Sequence, residues 1–225
     1  MAVELEGRLE EVVDHGADTR SLFLRLPVDL DFRPGQFISC QLPVGDKTLI
    51  RPYSIASSPE EPRRLEILLN LVPGGPGSHY LFGLPLGATV RLTGPWGSFV
   101  LERAPEAETV FLADGTGIAP IRPMLRRALA TAARHPLRLL AAAASPERVL
   151  YRAEIEALVR AHPAFRWDHV SSGALKDEVT RRYVEADADR SRRFFICGVG
   201  AIVPTLRDLL RGAGYERRAV QYEKW

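Results

Sequence analysis

The sequence predicts a two-domain β + α/β protein, with an N-terminal antiparallel β-barrel over residues 1–104 followed by a doubly wound parallel-sheet domain over residues 105–225. Three observations lead there. Up to residue 100, short alternating segments are separated by Gly, Pro and Asp, the rhythm of an antiparallel barrel or sandwich. After "LERAPEAE" (101–108), apolar runs alternate strictly with helical periods, which calls for parallel strands covered by helices. A chain of 225 residues is long enough for two modest domains, each with its own core.

In the first half the strand segments are "GRLEEVVDHG", "TRSLFLRLP", "GQFISCQLP", "TLIRPYSIAS", "RLEILLNLV" and "ATVRLTGP", with "SHYLFGLPLG" as a short helical or irregular insertion. In the second half "TVFLADG" is a buried strand and "APIRPMLRRALATAARH" a helix. The strand "LRLLAAAA" leads to the helix "RVLYRAEIEALVRAH", and "FRWDHVSSG" to the helix "LKDEVTRRYVEA". "RRFFICGVG" is the next strand, "IVPTLRDLLRGAG" the next helix and "AVQYEKW" the last strand.

Composition excludes several classes. At 46% hydrophobic and 26% charged the chain is ordinary for a globular protein, and a net charge of +2 is too small to argue for nucleic acid or an anionic membrane. No apolar run approaches the roughly 20 residues that a membrane helix needs. The start, "MAVELEGRLEEVVDHG", is acidic and alternating, unlike a signal peptide, so a cytoplasmic protein is expected. Cys40 and Cys197 are the two cysteines, too few for the four thiolates of a plant-type iron–sulfur cluster. The five histidines show no metal-ligand spacing, and no metal is expected. Lysine is confined to positions 47, 176 and 224, so arginine carries the positive charge. Guanidinium forks suit phosphates, although genomic base composition accounts for the same bias.

The chemistry concentrates in four stretches. In "LIRPYSIASSP" (49–59), a period of two puts Arg51 and Tyr53 on one strand face. Arginine there can grip a diphosphate bidentately, and tyrosine offers a flat surface to a ring. Pro52 removes a backbone donor, which suits a strand that stops pairing at a ligand edge. Alternation sends Ser54 to the opposite face. A barrel strand with a packed Tyr53 and a solvated Arg51 accounts for the same residues. "VPGGPGSHYL" (72–81) then sets Gly75, Gly77 and Ser78 directly before a helical segment, where small residues and free N–H groups favour an anion.

In this order "RPYS" and "GGPGS" resemble the FAD-binding domain of the ferredoxin–NADP reductase family, which includes flavin reductases and oxygenase reductase components. "GPWGSFVL" (94–101) is similar to that family's "GPxGxF" strand. The resemblance implies FAD, with Arg51 on its pyrophosphate, Pro52 at its edge, Tyr53 stacked on the isoalloxazine and Ser54 near N5. Gly75, Gly77 and Ser78 would complete the phosphate cradle, and His79 would be a surface or ribityl neighbour. Asn70 stands where the family usually has a basic residue or histidine.

"FLADGTGIAPIRPML" (111–125) is strand, glycine turn and helix, the place where an open parallel sheet binds dinucleotides. Gly115 and Gly117 permit close approach, Thr116 can bond turn N–H groups, and Pro120 fits a first helical turn. "GTGIAP" resembles the family's pyridine-nucleotide motif, with Asp114 in place of the usual small residue before it. A carboxylate there repels a bound pyrophosphate unless it points away or caps the helix. Cys197 and Gly198 resemble the family's "CGPP" element, with Val199-Gly200 for the prolines. The cysteine would shape the hydride path near nicotinamide C4; a buried strand cysteine is the alternative. By the same resemblance Glu223 matches an acidic active-site residue, and Trp225 a terminal aromatic covering the flavin face that nicotinamide must occupy.

The resemblance covers nearly all of the chain. It implies an FAD-dependent NAD(P)H oxidoreductase that passes hydride from nicotinamide to flavin N5 and electrons to a separate acceptor, such as a ferredoxin or oxygenase component. Ala144, where many relatives carry an arginine, leans towards NADH over NADPH, with Arg148 and Arg152 nearby. Three alternatives remain: a reductase of free flavin, an electron-transfer subunit of a larger complex, and a non-catalytic flavin-binding sensor.

Overall fold

A computed structural model describes residues 2–131, 135–186 and 188–224. The chain divides into two compact units: Met1–Val100 with Arg122–Met124, and Leu101–Ile121 with Leu125–Trp225.

The first unit is a curled, six-stranded antiparallel sheet built from β1 (Val3–Asp14), β2 (Thr19–Arg25), β3 (Phe37–Val44), β4 (Lys47–Ser54), β5 (Arg64–Asn70) and β6 (Thr89–Trp96). Its spatial order is β4-β3-β6-β1-β2-β5, and a bridge between Ile55 and Ile67 joins the two edges into a barrel. Alternation gives β3 its inward face of Ile38, Cys40 and Leu42, which packs with Leu22, Leu24, Ile67 and Leu92 in the core. A seven-residue helix, α1 (Pro76–Phe82), follows β5, as the "SHYLFG" segment suggests. The strand expected over "GPWGSFVL" stops at Trp96; residues 97–101 continue without regular structure.

The second unit is a parallel sheet of β7 (Thr109–Asp114), β8 (Leu137–Ala143), β9 (Phe165–Ser171), β10 (Arg193–Gly198) and β11 (Val220–Lys224). Its order, β11-β10-β7-β8-β9, makes the first strand the middle one. The chain steps outward through β8 and β9 and then returns to the other side of β7, so the strand order reverses between β7 and β10. Open α/β sheets bind ligands outside the carboxyl ends of their strands at such a point.

The helices are α2 (Ile118–Ala130), α3 (Arg152–Ala161), α4 (Leu175–Thr180) and α5 (Ile202–Gly212). Two expected helices differ in detail. The one read from Arg148 begins at Arg152, because Pro146–Arg148 forms a separate 3-10 turn and Tyr151 adopts a left-handed backbone, φ 56°, before the helix. The one read over 175–186 is α-helical to Thr180 and then widens into a π-helical turn, Arg181–Glu185. No helix among the described residues is long and apolar enough to cross a membrane.

Candidate functional site

In the barrel unit, β4 and the loop before α1 meet. A Cβ added to Gly77 would lie 3.2 Å from Arg51 Cγ and 3.3 Å from Leu42 Cδ1, so the small residue lets the arginine stem lie across the loop. Arg51 and Pro52 are exposed. Arg51 Nη1 donates to the Ile50 carbonyl at 2.9 Å, and no acidic side chain among the described residues pairs with this guanidinium. Gly75 caps α1, and its carbonyl accepts the Ser78 hydroxyl at 2.9 Å while Ser78 Oγ accepts the Val72 N–H at 3.0 Å. The Ser78 hydroxyl therefore ties the loop together.

Tyr53 is half-buried against the barrel core, and burial pushes its phenol up to about 12. The ring is thus held as a neutral, mainly apolar surface. Ser54 pairs with Phe37 across β3–β4 and is buried, on the face opposite Tyr53 that alternation predicts. The Asn70 side-chain oxygen accepts a bond from Thr19 Oγ1 at 2.9 Å, and His79 is exposed.

In the α/β unit, the two remaining motifs meet at the reversal of strand order. Gly115, at φ 53°, starts the turn that leaves β7. A Cβ on Gly117 would lie 2.1 Å from the Cys197 carbonyl oxygen, so β10 and the turn approach more closely than any side chain allows. Cys197 registers with Ala113 on one side and Glu223 on the other, which puts the cysteine and Glu223 on one face of neighbouring strands. Cys197 and Gly198 are buried, and Thr116 is half-exposed at the turn. Pro120 lies in the first turn of α2, where a missing backbone N–H costs no helical bond. Asp114 makes no side-chain cap at this turn. Trp225 lies outside the described residues.

These residues fit the groups the sequence implies. An exposed guanidinium without an acidic partner, laid over a loop of small residues, suits the diphosphate of FAD. A glycine turn pressed against the carboxyl end of a neighbouring strand suits a nicotinamide dinucleotide.

One polar cluster escaped the reading of motifs. Glu66 of β5 is 2% exposed; its Oε2 accepts Arg122 Nη1 at 2.5 Å and its Oε1 accepts the Ser21 hydroxyl at 2.7 Å. His15 Nε2 lies 2.9 Å from Ser21 Oγ, and Arg122 Nη1 also donates to the Ala56 carbonyl at 2.9 Å. The signal was a lone carboxylate in the apolar strand "RLEILLN".

Both halves of the chain match families of known proteins. Residues 6–101 match the "Oxidoreductase FAD-binding domain" family and residues 111–207 the "Oxidoreductase NAD-binding domain" family. The chain is 36% identical over 208 residues to ferredoxin–NADP reductase B of Sorangium cellulosum, covering 86% of this chain and 85% of that protein. It is 28% identical over 221 residues to the ferredoxin–NAD(P)(+) reductase component of naphthalene 1,2-dioxygenase/salicylate 5-hydroxylase systems from a Ralstonia species, covering 93% of this chain but 65% of that longer protein. Among solved structures it resembles a cytochrome P450 reductase from Amycolatopsis, with a TM-score of 0.88, 26% identity, and coverage of 99% of this chain and 70% of that one. A reductase matched at this identity across most of its length, with FAD- and NAD-binding families following one another along the chain, establishes that the protein belongs to the ferredoxin–NADP reductase family of flavoprotein oxidoreductases.

Proposed function

We propose that the chain takes hydride from NADH onto FAD and passes electrons to a separate acceptor protein of the ferredoxin or oxygenase-component kind. The observation that carries this reading is the close approach of the Gly115–Gly117 turn to Cys197 at the reversal of strand order, the place for a nicotinamide dinucleotide.

Bound FAD supplies hydride acceptance at N5 and release of electrons one at a time. The chain's part is to bind and orient. Arg51 would grip the diphosphate of FAD, and the backbone of Gly75, Gly77 and Ser78 would complete its cradle. Tyr53 would present its neutral ring to the flavin. Pro52 would stand at its edge without a backbone donor, although β4 stays paired with β3 through Ser54. Ser54, buried on the opposite strand face, would lie near N5 where the strand ends. In the α/β unit, Gly115, Thr116 and Gly117 receive the nucleotide diphosphate, with Pro120 starting the helix behind them. Cys197, Gly198 and Glu223 would shape the nicotinamide pocket.

Two features favour NADH. Ala144 removes an arginine from the strand end that meets the adenosine ribose. Arg152 is held by Glu156 at 2.7 Å, with Glu147 at 3.8 Å, so its charge is already engaged rather than available to a 2′-phosphate. An acceptor outside the chain is supported by relatives that are named as ferredoxin and oxygenase reductases.

The test is the visible spectrum of the purified protein under anaerobic conditions, before and after NADH and then NADPH. A flavin band that bleaches faster with NADH is the expected result. A flavin band that neither nucleotide bleaches overturns the reductase reading, and a protein that purifies without flavin but reduces added flavin makes flavin the substrate.

A further inference from the structure

Within the α/β unit, the proposed nucleotide turn begins on a carboxylate with no visible partner. Asp114 ends β7, half-buried, at the cap position of the Gly115–Gly117 turn, yet it makes no capping bond there. No hydrogen bond or ion pair engages it among the described residues. Its Cβ sits against Gly198, where a side chain on the glycine would begin 2.9 Å away.

The two strands beside β7 bring no cation to this end. Asp114 registers with Ala142 on β8, and the charged residues of β8 and β10, Arg138 and Arg193, sit at the opposite strand ends. Arg138 is in any case bonded to Glu108 at 3.1 Å. The first turn of α5 (Ile202, Val203, Pro204, Thr205) is uncharged. The nearest titratable groups at these carboxyl ends are the Cys197 thiol, registered with Ala113, and, one strand further, Glu223 registered with Cys197 and the exposed Lys224 registered with Gly198. On α2, Arg122 and Arg126 hold Glu66 and Glu154. The helix N-terminus favours an anion, but burial outweighs it and holds the Asp114 carboxyl above the usual carboxylate range.

We propose that Asp114 makes nucleotide binding proton-linked: its carboxylate takes up a proton as the dinucleotide diphosphate settles on the turn, so affinity falls as pH rises. This rests on the nucleotide placement proposed above. An ionised carboxylate with no cation beside it repels the diphosphate, whereas the protonated group can donate a hydrogen bond to it. Binding therefore raises the carboxyl's pKa further, and the added proton comes from solvent. A shift of one unit corresponds to about a tenfold change in affinity across the window.

The experiment is calorimetric titration of the oxidised, FAD-loaded protein with NAD+ from pH 5.5 to 8.5, in two buffers of different ionisation enthalpy, for the wild type and Asp114→Asn. The expected wild-type result is proton uptake on binding and affinity about tenfold weaker at the alkaline end. The variant should bind without uptake, at a pH-independent affinity near the wild type's acid limit. Binding without proton uptake by the wild type overturns the inference, as does a variant that keeps the pH dependence. A variant that binds more weakly than wild type at every pH also overturns it, by showing that the carboxylate accepts from the ligand. If neither protein binds NAD+ at any pH although flavin is retained, the nucleotide placement itself falls, and the inference with it.

Discussion

The carbonyl oxygen of Cys197 occupies the space in which a side chain on Gly117 would begin, 2.1 Å from the position of its Cβ. The obstacle is backbone of a buried strand, so it cannot swing aside as a side chain could. Gly117→Ala must push the turn away from β10. Nucleotide affinity should fall at least about tenfold, a loss of about 1.4 kcal/mol. The flavin absorbance should survive, because Arg51 and its loop lie in the other unit. Titration with NAD+ beside the flavin spectrum separates these effects; equal loss of both would mean general unfolding.

Arg51 gives the complementary prediction. Its guanidinium has no acidic partner among the described residues, so removing it costs the free protein little. A charge-assisted bond to a diphosphate contributes about 1.5–3 kcal/mol. Arg51→Ala should therefore weaken flavin binding about 10- to 150-fold, read by flavin content after gel filtration. Arg51→Lys should restore part of it, since a lysine keeps the charge but loses the fork. Gly77→Ala meets only the flexible Arg51 stem and the Leu42 methyl, at 3.2 and 3.3 Å, and should cost less than Gly117→Ala costs the nucleotide.

Arg122 is a matter of stability. It is bonded to Glu66, and the side chains are 15% and 2% exposed, so truncating the arginine strands a carboxylate in the barrel unit. Loss of one partner of a buried pair costs about 3–5 kcal/mol, whereas replacing both with apolar residues of similar volume is often neutral. Arg122→Ala should lower the urea midpoint sharply. The double variant Glu66→Leu/Arg122→Leu should recover much of the loss, and failure to recover would mean that Ser21 and the Ala56 carbonyl suffer as much.

His15, beside Ser21 in the same cluster, sets a pH dependence. Burial lowers its pKa below 6.5, with the nearby Glu66 only partly opposing. The unfolded chain therefore binds a proton more readily than the folded one. This histidine contributes nothing above pH 6.5 and destabilises as pH falls below that value, reaching its full effect below the folded pKa. Denaturation midpoints should fall across that interval in the wild type and fall less in His15→Gln. An identical slope in the variant would assign the effect to other groups.

Period and punctuation made most of the architecture legible. The alternation of β3 and the apolar runs of β7, β8 and β10 reflect one-faced and two-faced burial, and sequence displays such burial directly. Arg51 and Gly77, like Gly117 and Cys197, lie far apart in sequence but belong to motifs whose small residues announce a close approach. Tyr151 is illegible because a left-handed residue other than glycine carries no local mark, so the helical pattern runs back to Arg148. The π-turn after Thr180 was hidden because its residues suit an ordinary helix equally well. The burial of Glu66 depends on Arg122, which no local pattern connects to it.

The position of β7 at the centre of its sheet bears on how the chain is assembled during synthesis. In the α/β unit the strand made first is the one on which the others build, so β8 and β9 add outward as they emerge and β10 then joins the open side. The barrel has the opposite schedule. Val3 pairs with Gly94 and Arg8 with Thr89, so β1 keeps one edge unmatched until β6 has left the ribosome. Pairing so distant in sequence favours slow closure, and the open edge of β1 is the surface a nascent chain must protect meanwhile.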